Sequence, residues 1–247
     1  MVMEEFDMSD TYTTIVRAEE PATRTAALHI EVIADFVDPF CYLGKRRLET
    51  ALKAVQGPYE VSWHPYQLNP EFPVAGIEFN DYLTQRFGSP GKVQPILRSL
   101  AEEAQRDGVN FHFERIRRVP NTMAAHQLMY LAEREGKDQA QLAEDLMAAF
   151  FEHGEDIGAL DVLIRIGARH GFSAAKVIDA INDDTARQLV LTREGQVRSS
   201  GIGGAPGFLL NRRLLVIGAQ DADDMVNAFD RAMFGEGSDE PVSTPLH

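Results

Sequence analysis

The strongest constraint on this fold is an alternating run, Leu28 to Phe36, that passes without a spacer into a capped helix. The alternation reads as a half-buried strand. Asp38 stands where an N-cap belongs, and Pro39 fits the first helical position, where its missing N–H costs nothing. Leu48, Ala51, Leu52 and Val55 then recur at the i, i+3, i+4, i+7 spacing of an amphipathic helix. Gln56–Gly57–Pro58 make a turn, and Tyr59 to His64 alternates Tyr59, Val61 and Trp63 against Glu60, Ser62 and His64. Strand, helix and strand at this length form a βαβ unit, so the two strands run parallel with a right-handed crossover.

Beyond the irregular, proline-rich segment Pro65–Pro73, nothing from about Glu78 to Ser199 reads as strand. Helical patterns cover Phe79–Phe87, Val93–Asp107, Thr122–Glu135, Gln139–Glu152, Asp161–His170, Ala174–Asn182 and Ala186–Arg198. Asn121 is read as an N-cap, Ser173 precedes Ala174, and Gly136 and Gly171 close their helices. Asn110–Phe113 alternates too briefly to assign. Strands then resume: a turn cluster, Gly201–Gly207, leads into Phe208–Asn211 and Leu214–Ile217, joined through Arg212–Arg213 as a hairpin. Asp221 caps a last helix, Ala222–Met233. The reading is an α/β chain with a βαβ … ββα sheet and a large all-helical insertion. Its parts are a thioredoxin-like domain from 28–73 and 200–234, an insertion subdomain at 74–199, and disordered tails at 1–27 and 235–247.

Composition narrows the partners. A net charge of −14 speaks against nucleic acid or an anionic membrane. No apolar stretch is long enough to span a membrane. A single cysteine excludes an internal disulfide and makes the cytoplasm the default compartment. No histidine pairs with another histidine or cysteine at metal-ligand spacing, and Gly201–Gly204 lacks the Lys-Ser/Thr of a phosphate loop. Neither metal nor nucleotide is expected.

The chemistry is to be sought at Asp35–Phe36–Val37–Asp38–Pro39–Phe40–Cys41–Tyr42–Leu43–Gly44. This segment resembles the active-site segment of the DsbA superfamily, in its FrnE-like branch, where it usually reads Cys-Pro-Trp-Cys-Tyr followed by an aliphatic residue and Gly-Lys. Further matches follow in order: His64–Pro65, Leu68–Asn69–Pro70, Asn121–Thr122 with His126, Phe150–Phe151 to Asp156–Ile157, Ala205–Pro206, and Gly218–Ala219–Gln220. The resemblance spans Leu28 to Met233 and implies a thioredoxin fold. It also implies a cis Ala205–Pro206 bond facing the first helix, with Pro39, Phe40, Ala205 and Pro206 touching substrate.

The departure is at Asp38, which stands where the family has its nucleophilic cysteine, leaving only the resolving position, Cys41. A helix N-terminus favours an ionised carboxylate, so Asp38 reads as a cap, acceptor or weak base and a poor general acid. Cys41 reads first as a small core residue and second as a monothiol. His126 reads as a packed or surface histidine. Three functions follow from the resemblance. The first is a thiol–disulfide oxidoreductase relative, at most monothiol through Cys41. The second is an isomerase or tailoring enzyme on an aromatic or polyketide-like small molecule, resembling 2-hydroxychromene-2-carboxylate isomerase or kappa-class glutathione transferase and using Asp38. The third is a non-catalytic peptide-binding or chaperone module. No cofactor is required; a low-molecular-weight thiol such as glutathione or mycothiol is the one the resemblance admits. Partners are a small-molecule substrate or a protein thiol, and a homodimer is left open.

Overall fold

A computed structural model describes residues 28–235. The tails expected at 1–27 and 235–247 lie outside it, apart from Gly235. A four-stranded sheet has the order β2-β1-β5-β6, formed by β1 (Leu28–Ala34), β2 (Tyr59–Pro65), β5 (Gly207–Leu210) and β6 (Leu214–Ile217). β1 and β2 pair in parallel from Leu28↔Tyr59 to Ala34↔Pro65, with α1 (Pro39–Leu52) as the crossover. β5 runs antiparallel to both β1 and β6. At the hairpin Asn211 and Arg212 both adopt positive φ (50° and 53°). Asparagine tolerates that region, and its side chain ties the turn to the His29 N–H (2.8 Å) and the Ala232 carbonyl (3.2 Å).

Leu28, Ile30 and Val32 face one side of the sheet and pack with Leu43 and Leu48 of α1 and with Met225 and Phe229 of α9 (Ala222–Phe234). Ile33 points the other way, into a second cluster with Tyr66, Val197 and Ile202. β1 is therefore covered on both faces towards its C-terminal end, where alternation alone suggested a half-buried strand. A central strand between two layers has no solvent face to keep polar.

Between β2 and β5 lie seven α-helices among the described residues: α2 (Phe79–Phe87), α3 (Pro90–Arg106), α4 (Met123–Arg134), α5 (Gln139–Phe151), α6 (Leu160–Arg169), α7 (Ala174–Asn182) and α8 (Asp184–Ser199). The insertion also holds a two-stranded ribbon that pattern reading missed, β3 (Ile77–Glu78) against β4 (Arg118–Val119). Two-residue strands show no periodicity, and this pair forms across some forty residues of chain. Asn110–Phe113 forms no strand; a 3₁₀ turn, Phe113–Arg115, follows it. The cap of α4 is Thr122 rather than Asn121, although the side-chain Oδ1 of Asn121 accepts from the Met123 N–H at 3.0 Å.

The insertion is clamped to α1. The Tyr42 hydroxyl donates to Glu144 (2.8 Å) of α5 and is 3.1 Å from Glu152. Lys45, 2 % exposed, donates to Glu144 at 2.7 Å and also to Glu49. These bonds orient the helix whose first turn carries the unusual motif.

Candidate active site

β1 ends at Ala34, and Asp35–Phe36–Val37 turn the chain at once into α1. Asp38 caps that helix: its Oδ1 accepts from the Phe40 N–H at 2.9 Å. The cap is almost wholly enclosed, with Asp38 only 6 % exposed. Burial penalises its charged form, and repulsion from the Asp35 carboxylate adds to that. The cap bond and a bond with the Cys41 thiol pull the other way, and the pKa is pushed up to about 7. This corrects the expectation of an ionised carboxylate. The helix terminus does favour the anion, but desolvation outweighs it, so near neutral pH the group is divided between acid and base.

Cys41 lies one turn along, 2 % exposed, with its Sγ accepting from the Asp35 N–H at 3.4 Å. Burial, with the negative charge of Asp38, pushes the thiol well above its ordinary range. A thiol so placed is neutral and enclosed, the opposite of a reactive thiolate. Pro39 is half-buried and Phe40 is 48 % exposed, its ring turned to solvent.

Behind the motif Asp35 is fully enclosed. Its carboxyl accepts from the Phe36 N–H (2.9 Å) and the Leu68 N–H (2.8 Å), and His126 Nε2 of α4 lies 3.4 Å from Oδ1. The His126 ring, itself buried, packs tilted on Phe36 with centroids 4.8 Å apart. From α2, Tyr82 comes close enough for Asp38, Asp35 and Arg86 to act on its phenol, which burial raises above its ordinary range. Tyr82 in turn meets Phe72 edge to face, at 6.1 Å.

On the far side the Ala205–Pro206 peptide bond is cis. Pro206 packs on α1 at Gly44: a Cβ there would lie 3.3 Å from Pro206 Cγ and 3.0 Å from Phe208 Cζ. Ala205 precedes the β-ladder, whose pairing with β1 reaches only Gly207. The structure thus groups Asp38, Pro39, Phe40 and Cys41 at one helix end, with Pro206 against the same helix. Sequence reading included Asp35 in the motif without giving it a role, and missed Tyr82 and the placement of His126. Asp35 carried a signal, an acid inside the apolar run from Val32 to Val37; Tyr82 carried none. Among the described residues no group of three or more His, Cys, Asp or Glu could hold a metal ion.

Comparison with known proteins fits this geometry. The DSBA-like thioredoxin domain family matches residues 29–230. The uncharacterized protein YwbO of Bacillus subtilis (strain 168) is 28% identical over 158 residues, 64% of this chain and 74% of YwbO. A probable DsbA oxidoreductase, SCO1869 from Streptomyces coelicolor, superposes with a TM-score of 0.77 at 25% identity, covering 89% of this chain and 93% of that one. A 2-hydroxychromene-2-carboxylate isomerase shares the fold, with TM-score 0.61, 14% identity, and 82% and 95% of the two chains covered.

Proposed function

The chain belongs to the DSBA-like thioredoxin domain family, and we propose that it uses this scaffold for proton transfer at Asp38 on a small aromatic molecule, as an isomerase-type enzyme, rather than for disulfide exchange. One observation carries the reading: the position at the helix N-terminus holds a carboxyl whose pKa is about 7. Such a group gives and takes a proton within one turnover at neutral pH. An isomerisation gains and loses no atom, so returning the proton to a second position of the substrate closes the cycle. Half-exposed Phe40 beside Asp38 in the sequence, and Tyr82 near Asp38 with Phe72 edge to face on it, supply apolar and aromatic surface for a flat substrate. Disulfide exchange is disfavoured because the one thiol is buried and protonated.

A low-molecular-weight thiol fits this site as coenzyme and would supply a nucleophilic sulfur when bound. Protonated Asp38 can donate a hydrogen bond to that sulfur, which an ionised one could not. Ala205, outside the ladder, leaves backbone groups for an extended ligand. The lone thiol suits a reducing, cytoplasmic setting.

The test pairs two assays. In the first, 2-hydroxychromene-2-carboxylate with glutathione serves as the initial probe, and bound glutathione is followed by its thiolate absorbance. Asp38→Ala is expected to abolish turnover and weaken thiolate formation, with the pH profile of kcat in the native protein breaking near 7. The second is reduction of insulin disulfides. Reduction by the native protein that survives Asp38→Ala and is lost in Cys41→Ser would overturn the proposal in favour of monothiol exchange.

A further inference from the structure

β6 closes one end of the sheet, and its sequence is Leu214–Leu215–Val216–Ile217. All four side chains keep part of their surface exposed. An edge strand presents unpaired N–H and C=O groups, and monomeric proteins blunt such edges with charge, proline or a covering element. The opposite edge is blunted in this way: β2 carries Glu60 and His64, ends in Pro65, and has α8 packed along it. Among the described residues β6 has none of these; beside it lies a concavity of about 350 Å³, lined by the strand and by Gln220, Asp224, Asn227, Ala228 and Arg231. Asp224, Asn227 and Arg231 are exposed and fall on one face of α9, at spacings of three and four residues. Among the described residues neither Asp224 nor Arg231 has an ion-pair partner.

We infer that this edge is a docking surface for a second copy of the same chain, β6 pairing antiparallel with β6 of the partner about a two-fold axis. An isologous contact is self-complementary, so each residue met by the axis-related copy must suit its counterpart. The surface meets that condition twice. Antiparallel pairing centred between Leu215 and Val216 sets Leu214 opposite Ile217 of the partner subunit, apolar against apolar. Helix α9, reversed by the same axis, brings Asp224 of one copy toward the partner's Arg231, and the reverse contact follows by symmetry. The two sheets become one of eight strands, and the last bare backbone groups of β6 are paired. A chain with a net charge of −14 repels its own copies, which makes a locally balanced acid–base pair at the contact decisive for orientation. The inference is independent of the chemistry at Asp38.

Sedimentation velocity across a concentration series, on the full chain, tests it. A reversible dimer is expected, with Asp224→Arg alone raising its dissociation constant at least tenfold and Arg231→Asp alone doing the same. The double variant, Asp224→Arg with Arg231→Asp, is expected to restore the native value, which no loss of folding could imitate. Leu215→Lys places a charge on the edge and is expected to give monomer with an unchanged circular dichroism spectrum. A monomer at every concentration, as when the chain's own C-terminal residues cover the edge, would overturn the inference. A dimer indifferent to both single reversals would do the same.

Discussion

At the scale of single residues, the behaviour of Asp38 follows from enclosure and from one neighbouring charge. Asp35 cannot relax toward water, being held by two backbone N–H groups and faced by His126. Its repulsion raises the pKa of Asp38. Asp35→Asn should therefore lower the Asp38 pKa, by about one unit for a close like charge removed. A carboxyl-carbon NMR titration of the variant reads this directly; an unmoved pKa would leave burial as the sole cause. Cys41 gives the complementary prediction. A thiol-specific reagent should label it slowly in the native protein and quickly in denaturant, because exposure and the thiolate both require opening of the first helical turn. Equal rates under the two conditions would mean an accessible thiol and reopen the case for exchange chemistry.

The elements matter because the site is built where they are pressed together. α1 approaches β5 at Gly44, where a methyl group would stand 3.0 Å from Phe208 Cζ and 3.3 Å from Pro206 Cγ. Gly44→Ala is expected to cost up to about 2 kcal/mol net, overpacking of about 1–3 kcal/mol being partly offset by the roughly 1 kcal/mol that alanine gains over glycine inside a helix, as measured by urea denaturation. Since the displaced element carries Asp38, the same variant should also shift that group's titration. The opposite face of α1 depends on Glu144, which accepts from Lys45 and Tyr42 and pairs with Arg46. Glu144→Ala leaves Lys45 enclosed with only Glu49 as counter-charge. Breaking a buried pair in this way costs roughly 3–5 kcal/mol, and partly solvated Glu49 should hold the loss near the lower end. An unchanged urea midpoint would show that Lys45 reaches water without its α5 partner.

For the whole molecule, the enclosed carboxyl ties stability to pH. The folded pKa of Asp38, about 7, lies above its ordinary value of 3.8. The folded state therefore binds this proton more tightly than the unfolded state does. Its contribution is complete below about pH 4, falls as pH rises between the two values, and is lost above about pH 7. Asp38→Asn keeps a good capping residue while removing the ionisation. Thermal unfolding should thus find the variant more stable than the native protein at pH 8 and close to it at pH 4. The opposite ordering would mean that the carboxylate is stabilised as an anion by its helix.

The order of elements was legible in the sequence because local rules govern it. The period of Leu28–Phe36, the capping signals at Asp38 and Ser173, and the helix-length apolar stripes such as Leu142, Leu146 and Phe150 each act within a few residues. The sequence also placed Asp38 at the helix start and Cys41 one turn further on, since helical spacing alone sets that relation. Tertiary structure decided the rest. Whether a capping aspartate is an anion depends on how much water the fold leaves around it, and with Asp35 and Tyr82 close by Asp38 is only 6 % exposed. The company of Asp35, His126 and Tyr82 joins segments some forty to ninety residues apart, and the β3–β4 ribbon and the bare edge of β6 exist only once strands find their partners. Proton affinity and pairing are properties of surroundings, and surroundings are settled when the chain closes on itself.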